Sequence, residues 1–343
     1  MASSTQLPPP VLAPFRIAPS FVSRVWGYSD LRPWYDHAAK AGEPIGEVWL
    51  TGDDCLVATG PYAGKTLGGL FAEASEALLG RYARSAASPL LIKVIFAKEK
   101  LSVQVHPDDA LAQKYGQPRG KTECWYVLAA ESGAEVAAGL KAGVTLDQVR
   151  DGIESSTLEE SLNLLPVAKG DVVFVDAGTV HAIWPGSILL ETQQNCDLTY
   201  RMYDYGRGRE LHIEKALEAT RLTTRAGKVE AMVLEDRTIL VDEEYFRMER
   251  IPFNGSQTGA SLAGEGETGQ NHGTRGLAYL FAAAGSGRIH STGQSFEPVD
   301  LPACGLVAVP ASSPEFMIEN LGGLDLIRIT PNWPGRTQPG KTQ

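Results

Sequence analysis

Short apolar runs rich in Val, Ile, Leu and aromatic residues follow one another along the chain from about residue 90. Turn-forming Gly, Pro, Asp and Asn bound these runs, a pattern that is typical of β-strands joined by turns. We therefore predict strands at 89–96, 101–107, 123–128, 135–140, 171–178, 187–194, 198–206, 278–285, 286–291, 304–311 and 325–330.

Helical spacing of apolar residues is limited to three segments. Within 66–84, apolar residues recur every three or four positions, which predicts a helix or two. Residues 144–165 indicate one or two short helices, and residues 211–221 indicate another. Many strands with so little helix favour β-sandwiches or barrels over a parallel sheet.

The length of 343 residues suggests two domains, and 36 Gly and 21 Pro fit a chain with many turns. We expect a Pro-rich N-terminal arm at 1–25, a first unit at 26–222 and a second unit at 223–343. A Gly-rich polar loop is expected at 254–276, inside the second unit.

A faint internal repeat relates the two units. The segment GDVVFVDAGTVH at 170–181 aligns with CGLVAVPASSPE at 304–315, so that apolar positions coincide. In this alignment His181 falls on Glu315. If the units are copies, the second has lost whatever His181 does, and we expect it to lack metal ligands.

The chain carries 31 basic and 41 acidic residues, a formal net charge of −10. A negative surface field argues against nucleic acid or an anionic membrane as the main partner, and no apolar stretch is long enough to span a bilayer. The four cysteines lie far apart, which fits neither a disulfide framework nor a zinc ribbon. With no signal peptide visible, we expect reduced thiols in a cytoplasmic protein.

Polar residues on one face of two predicted strands give the first indication of a functional site. In LSVQVHP, Ser102, Gln104 and His106 alternate with apolar residues and therefore share a face. In KTECWYV, Lys121 and Glu123 share a face, where burial is costly without a partner. The first pattern, taken alone, also fits an ordinary surface strand.

Four side chains from these segments can form a metal site. Gln104, His106 and Glu123 lie on those faces, and His181 follows a glycine turn in DAGTVHAI. Two imidazoles, one amide and one carboxylate give an N2O2 set that suits a divalent ion such as zinc and leaves the site positively charged. Such a site can act as a Lewis acid. The alternative is a set of polar residues that line a barrel and satisfy one another.

Longer motifs narrow these alternatives. QVHPDD, GKTECWYVL, AGTVHAI, QQNCDLTYRMYDYGR and ELHIEKALE resemble the class I phosphomannose isomerases, the zinc-dependent mannose-6-phosphate isomerases of the cupin superfamily. IGEVWLTG, GPYAGKTLGGL and PLLIKVI also fit, and the resemblance runs from about residue 26 to residue 217. It implies a mostly β fold of two cupin, or jelly-roll, units with a few short helices. The first unit is then the metal-binding catalytic one.

The resemblance also assigns residues, position by position. The family's catalytic arginine falls on Arg201, and its active-site lysine falls on Lys121. The family's single zinc ion per chain would be held by the four residues Gln104, His106, Glu123 and His181.

Two positions depart from the family pattern. Asp176 stands where the usual cupin turn has a proline, and Cys196 stands where the family usually has a serine. Neither change removes a ligand. Asp176 is expected to loosen the turn before His181, whereas a buried Cys can replace Ser as a small, weakly polar residue.

The implied activity is interconversion of mannose 6-phosphate and fructose 6-phosphate through an enediol or enediolate. Arg201 suits a bidentate grip on phosphate or on the enediolate. A nearby cation lowers the pKa of a lysine, so Lys121 is expected to be either the base or an electrostatic clamp. Two alternatives stay open: another cupin isomerase of sugars or sugar phosphates, and a non-catalytic sugar-binding cupin.

Overall fold

The computed structural model describes residues 11–40, 42–80, 87–253, 256–258 and 276–332. The chain divides into two compact units. The first unit comprises Ser20–Trp49 and Pro89–Ala231. The second unit comprises the described residues of Met1–Pro19, Leu50–Ser88 and Met232–Gln343.

Antiparallel strands make up most of both units. In chain order the strands are β1 (Phe15–Arg16), β2 (Ser20–Tyr28), β3 (Ile45–Trp49), β4 (Leu90–Ala97), β5 (Val103–Val105), β6 (Glu123–Ala130), β7 (Glu135–Leu140), β8 (Leu162–Pro166), β9 (Val172–Val175), β10 (His181–Ile183), β11 (Ser187–Gln194), β12 (Tyr200–Tyr203), β13 (Gly227–Lys228), β14 (Met232–Val233), β15 (Thr238–Asp242), β16 (Phe246–Ile251), β17 (Ser256–Thr258), β18 (Ala278–Ser291), β19 (Val299–Leu301), β20 (Leu306–Val309) and β21 (Phe316–Pro331). The helices are α1 (Leu67–Leu79), α2 (Asp109–Lys114), α3 (Leu146–Glu154) and α4 (Ile213–Ala219).

Two sheets form the first unit. The larger has the strand order β13-β9-β6-β11-β4-β3-β2, and the smaller has the order β12-β5-β10-β7-β8. One apolar cluster joins residues of both sheets, with Trp125, Leu189 and Ile95 from the larger and Val136 and Ile183 from the smaller. The sheets therefore enclose a common core, the arrangement expected of a jelly roll.

Helices α3 and α4 cover the other face of the smaller sheet. Val149 and Ile153 of α3 and Ala216 of α4 pack with Val103 and Val105 of β5. Thr145 begins α3 with a capping box, in which its hydroxyl accepts from the Gln148 amide and the Gln148 side chain accepts from the Thr145 amide. The two valines of β5 thus face the helices. Because side chains alternate along a strand, the side chain of Gln104 lies on the opposite face of the sheet.

The second unit contains one large sheet with the order β1-β20-β18-β21-β16-β15-β14, to which β17 and β19 are added. Its longest pair, β18 and β21, encloses an apolar cluster that includes Leu280, Ile289 and Leu326. Gly285 sits at an irregularity in β18 with φ +65°, and an added Cβ would approach the backbone of Gly323 to 2.3 Å. Only glycine fits that crossing.

The mostly β fold with a few short helices is confirmed, but several element predictions need correction. Residues 162–166 form β8 instead of ending a helix, because they pair with β7 along the sheet edge. Segments 278–285 and 286–291 are one continuous bulged strand. Strands that the prediction also missed are β1, β2, β3, β10, β13, β14, β15, β16 and β19. Of the expected 254–276 loop, Ser256–Thr258 is a strand, and most of the remainder lies outside the described residues.

The units also differ from the contiguous division expected from the sequence. Leu50–Ser88 clusters with the C-terminal half instead of with the rest of the expected first unit. Within the expected arm, β1 pairs with β20 and β2 pairs with β3, so those residues belong to sheets. Residues 1–10 lie outside the described part of the chain. None of the described helices is both long and apolar enough to cross a membrane.

Candidate active site

Three predicted ligands meet inside the first unit. The candidate ligand atoms of His106, Glu123 and His181 all lie within 4.8 Å of one another, and all three residues are buried. The Nε2 atoms of the two histidines are 3.6 and 3.5 Å from the Glu123 carboxylate oxygens. Three strands supply them, since His106 follows β5, Glu123 begins β6 and His181 begins β10.

Backbone contacts orient both imidazoles toward the shared centre. Nδ1 of His106 donates to the carbonyl of Leu198 at 2.9 Å, and Nδ1 of His181 donates to the carbonyl of Thr179 at 2.8 Å. With each Nδ1 protonated, the Nε2 lone pair faces the cluster, which is the usual tautomer of a metal-ligating histidine.

Burial keeps these imidazoles neutral. It lowers the pKa of His106 well below its usual value, and the Lys121 charge lowers it further. Burial likewise lowers the pKa of His181 to about 4. Neutral imidazole is the form that binds a metal ion, so no proton has to leave either ring at neutral pH.

Gln104 adjoins this cluster. It pairs directly with His181 across the strands, and its Nε2 lies 3.2 Å from Nε2 of His181. Its Oε1 accepts a hydrogen bond from Ser102 at 3.3 Å. Ligation by Gln104 therefore requires a half-turn of its amide, because the nitrogen and not the oxygen faces the cluster in this arrangement. Its ligand role stays a prediction.

The donor set fits a borderline divalent ion. Two imidazole nitrogens and a carboxylate converge from three strands, with an amide beside them, as the chemistry of zinc requires. Among the described residues, this is the one cluster of His, Cys, Asp and Glu with ligand atoms close enough to share an ion. In the second unit, Glu315 at the position aligned with His181 is exposed.

Lys121 lies directly against the cluster. Its Nζ is 2.7 Å from Glu123, 3.0 Å from Nε2 of His106 and 3.4 Å from Glu191. Burial alone would lower the pKa of Lys121, but the charges of Glu123 and Glu191 outweigh it and raise the pKa. These protein groups therefore favour the ammonium form of Lys121, whereas the lower pKa expected from the sequence depends on a neighbouring metal ion.

Arg201 lies on the same face as Gln104. On β12 it pairs with Gln104, which pairs in turn with His181, and directly opposite residues of antiparallel strands share a face. The Arg201 Nη1 donates to the carbonyl of Glu210 at 3.0 Å. Its buried Nε finds no hydrogen-bond partner among the described residues. Burial and the charge of Arg209 lower the pKa of Arg201, yet a guanidinium stays charged at neutral pH.

Two buried charged residues that the sequence analysis did not select extend the network around Lys121. Lys93 of β4 lies 3.3 Å from Glu191 of β11, which itself contacts Lys121. Burial raises the pKa of the Glu191 carboxyl, and the charge of Glu123 raises it further. The sequence carried a signal, because Lys93 is the one charged residue within the apolar run 89–96, whose strand is buried throughout. A charge in such a strand requires partners and so indicates a polar interior.

The two departures from the family pattern leave the site intact. The carboxylate of Asp176 accepts from the Thr179 hydroxyl at 3.0 Å and from the Arg225 amide at 3.2 Å. It therefore ties the turn before His181 together, so the expected loosening is wrong. Cys196 is buried, and burial raises the pKa of its thiol, which fits a small packing residue.

Because both histidines are neutral in the folded protein, we expect the stability of the metal-free protein to decrease at acidic pH. In the unfolded chain they take up protons near pH 6.5, whereas His181 in the folded chain does so only at about 4. The free energy of unfolding should therefore fall as pH drops from 6.5 towards 4. Denaturant titrations in the presence of a chelator measure this decline. It should be smaller for His181→Gln, and an equal decline in that variant would assign the effect to other groups.

Comparisons with known proteins agree with this site. A family model described as the catalytic domain of type I phosphomannose isomerase matches residues 15–140. A mannose-6-phosphate isomerase of Streptococcus mutans is 37% identical over 246 residues, covering 68% of this chain and 77% of that protein. A probable mannose-6-phosphate isomerase of Bacillus subtilis is 32% identical over 323 residues, covering 89% of this chain and 96% of that protein.

A solved structure extends the similarity to the fold. The mannose 6-phosphate isomerase of Bacillus subtilis superposes with a TM-score of 0.79 at 30% identity, covering 93% of this chain and 99% of the other. Sequence identity of 30% and a TM-score of 0.79 over nearly whole chains indicate that the two proteins share the same fold. Together with the buried cluster of His106, Glu123 and His181, these similarities show that the chain belongs to the type I phosphomannose isomerase family.

Proposed function

We propose that this protein is a zinc-dependent isomerase that interconverts mannose 6-phosphate and fructose 6-phosphate. The observation that carries the proposal is the convergence of His106, Glu123 and His181 beside a buried lysine. Gln104 is proposed as a fourth ligand after rotation of its amide. We further infer a cytoplasmic location, supported by the four cysteines, all of which are free thiols.

A zinc ion held by these residues would polarise the oxygens of the sugar as a Lewis acid. The chain itself must bind the substrate, hold its charge and move one proton between the C1 and C2 carbons. The buried core beneath the cluster, with Trp125 at 5.7 Å from the His181 ring, excludes bulk water and strengthens every charge interaction above it.

Lys121 and Arg201 supply the positive charge for the anionic substrate. The Lys121 ammonium, held between two carboxylates, is suited to stabilise negative charge on the substrate oxygens during proton transfer. Arg201 offers an unpartnered Nε from the same face and suits a planar, bidentate contact with phosphate or enediolate. We assign both a catalytic role of electrostatic stabilisation.

One assay tests the function. The purified protein is incubated with mannose 6-phosphate, with free mannose and with other aldose phosphates, and formation of the ketose is followed by a coupled assay with and without a chelator. The proposal requires metal-dependent turnover that favours mannose 6-phosphate. Turnover only of another sugar would indicate a different cupin isomerase, and binding without turnover would indicate a sugar-binding cupin.

Arg201→Ala should keep zinc and fold but lose turnover. The side chain is half-buried and outside the ligand cluster, so its removal leaves the ion untouched. Loss of a charge that acts mainly in the transition state lowers kcat and kcat/KM together, by roughly 10²–10³. Steady-state kinetics with metal analysis measure this. A raised KM alone would assign Arg201 to phosphate binding, and unchanged kinetics would place it outside the site.

A further inference from the structure

A turn at residues 176–180 leads from β9 in the larger sheet of the first unit to His181 at the start of β10 in the smaller sheet. Within this turn, the Thr179 amide donates to the Asp176 carbonyl at 3.1 Å. The Thr179 carbonyl accepts from Nδ1 of His181 at 2.8 Å. The position of Thr179 therefore sets the direction in which the His181 imidazole points.

The side chain of Asp176 gives Thr179 a second contact. Its Oδ1 accepts from the Thr179 hydroxyl at 3.0 Å, and Thr179 itself is buried. The usual cupin turn has a proline at this position, which fixes one backbone dihedral angle and offers no side-chain acceptor. The carboxylate contact is thus a feature of this chain.

A segment that follows α4 provides the other partner of Asp176. We call residues 220–229 the strap, and their strand β13 pairs with β9. The Arg225 amide in the strap donates to Oδ2 of Asp176 at 3.2 Å. The two carboxylate oxygens of Asp176 therefore have separate partners, Thr179 in the turn and Arg225 in the strap.

The strap also packs on the turn at Gly178. The Arg221 amide donates to the Gly178 carbonyl at 2.9 Å, and the Gly178 amide donates to the His106 carbonyl at 2.8 Å. Gly178 has φ +91°, and an added Cβ would lie 2.7 Å from the Arg221 side chain. The strap thus rests closely on a turn that contacts the backbone of one proposed ligand and ends at another.

We propose that Asp176 is a positioning residue for His181, which ties the strap to Thr179 and thereby strengthens zinc binding. Asp176 does not belong to the converging cluster of His106, Glu123 and His181, so it acts through Thr179 and not as a ligand. The inference rests on the proposed function for its zinc-dependent part.

Removal of the carboxylate has a definite consequence in this geometry. Thr179 keeps the hydrogen bond of its amide but loses that of its hydroxyl, and the Arg225 amide loses its acceptor. The Thr179 carbonyl then holds the His181 ring less firmly. Because the ring must be ordered when the ion binds, the loss appears as a weaker affinity for zinc.

Asp176→Ala is the first test, with zinc affinity measured by competition with a chromophoric chelator. We expect the affinity to fall about tenfold, the lower end of the range for partners of metal-ligating histidines, since Asp176 does not touch the ring. Turnover per zinc-loaded molecule should change little, because the bound ion itself then holds His181 in place. An unchanged zinc affinity would overturn the proposal.

Asp171, at the opposite end of β9, provides a matched control. Its carboxylate accepts from the Ala168 amide at 2.9 Å and pairs with Lys228 of the strap at 2.7 Å. It therefore also closes a turn and holds the strap, but it does not contact Thr179. Asp171→Ala should lower the melting temperature and leave zinc affinity within about twofold. Equal losses of affinity in both variants would point to general loosening of the strap and against the proposal.

A double-mutant cycle with Thr179 tests the route. Thr179→Val removes the hydroxyl at nearly constant size and should weaken zinc binding by a similar factor. In the Thr179→Val background, Asp176→Ala should cost less than about twofold further, because residues in direct contact are not additive. A further loss as large as in the unchanged background would contradict action through this hydroxyl.

Imidazole signals of ¹⁵N-histidine-labelled protein test the positioning without any metal. The chain has six histidines, so the signals can be assigned by single substitutions. In metal-free Asp176→Ala we expect the His181 signals to shift while those of His290 stay in place, and in Asp171→Ala we expect neither to shift. Unchanged His181 signals in Asp176→Ala would overturn the proposal. If the unchanged protein binds no zinc, the proposed function fails, and these signals still decide whether Asp176 positions His181.

Discussion

His106→Ala will lose both the bound zinc and the turnover of mannose 6-phosphate. The imidazole is buried, its Nδ1 is fixed by the Leu198 carbonyl, and its Nε2 lies 3.6 Å from the Glu123 carboxylate. Removing one of three converging side chains leaves an ion with too few ligands, so the affinity for zinc falls sharply. Elemental analysis of the purified variant and the coupled assay measure both losses.

A histidine outside the cluster provides the control for this variant. His290 lies in the second unit and pairs with Glu319 at 3.0 Å. His290→Ala should keep one zinc per chain and full activity. Active protein without metal would contradict the assignment. So would zinc retained at full affinity in His106→Ala, which would place the metal site elsewhere in the chain.

Lys121→Met will keep zinc and lose most of its turnover, by roughly 10²–10³, because the ammonium next to the reacting oxygens is gone. Two carboxylates raise the pKa of Lys121 in the structure and so favour its charged form. We therefore expect an electrostatic clamp and not a base. The variant should still exchange the C2 proton with solvent slowly and should bind substrate more weakly.

Exchange in deuterated water separates the two roles of this lysine. If Lys121 is the base, Lys121→Met abolishes exchange at C2 as well as isomerisation, and activity of the unchanged enzyme rises with pH through an apparent pKa below about 10.4. Lys114, which pairs with Glu218 on the surface, gives a control variant with full activity. Full exchange and near-normal turnover in Lys121→Met would exclude both roles.

The alternation of apolar and polar residues in the sequence determined which strand faces carry the residues of the site. Alternation along LSVQVHP placed Gln104 and His106 opposite Val103 and Val105, and the structure packs those valines under α3 and α4. This inference needed no knowledge of neighbouring strands, because successive side chains of any strand point to opposite faces. The mostly β character and the turn-rich chain follow from the same local rule.

Neighbour relations between distant segments were decided only by the tertiary structure. The sequence indicated that Lys93 lies in an apolar strand, but not that Glu191 and Glu47 flank it on adjacent strands. Likewise, residues 162–165 belonged to a segment predicted as helical, but they form part of β8, which pairs with β7. Pairing of strands depends on which surfaces pack, and propensity within one segment is too weak to fix it.

The shift of the Lys121 pKa likewise depends on neighbours that only the tertiary structure brings together. From the sequence, a neighbouring metal ion predicted a lower pKa for Lys121, and Glu123 was the one carboxylate expected beside it. The fold adds Glu191, which lies 70 positions from Lys121 in the chain and 3.4 Å from its Nζ in space. Residue types and spacing thus determined the chemistry available to this protein. Only the packing of the sheets decided which charges act on one another, because electrostatic energy depends on distance and burial, not on sequence separation.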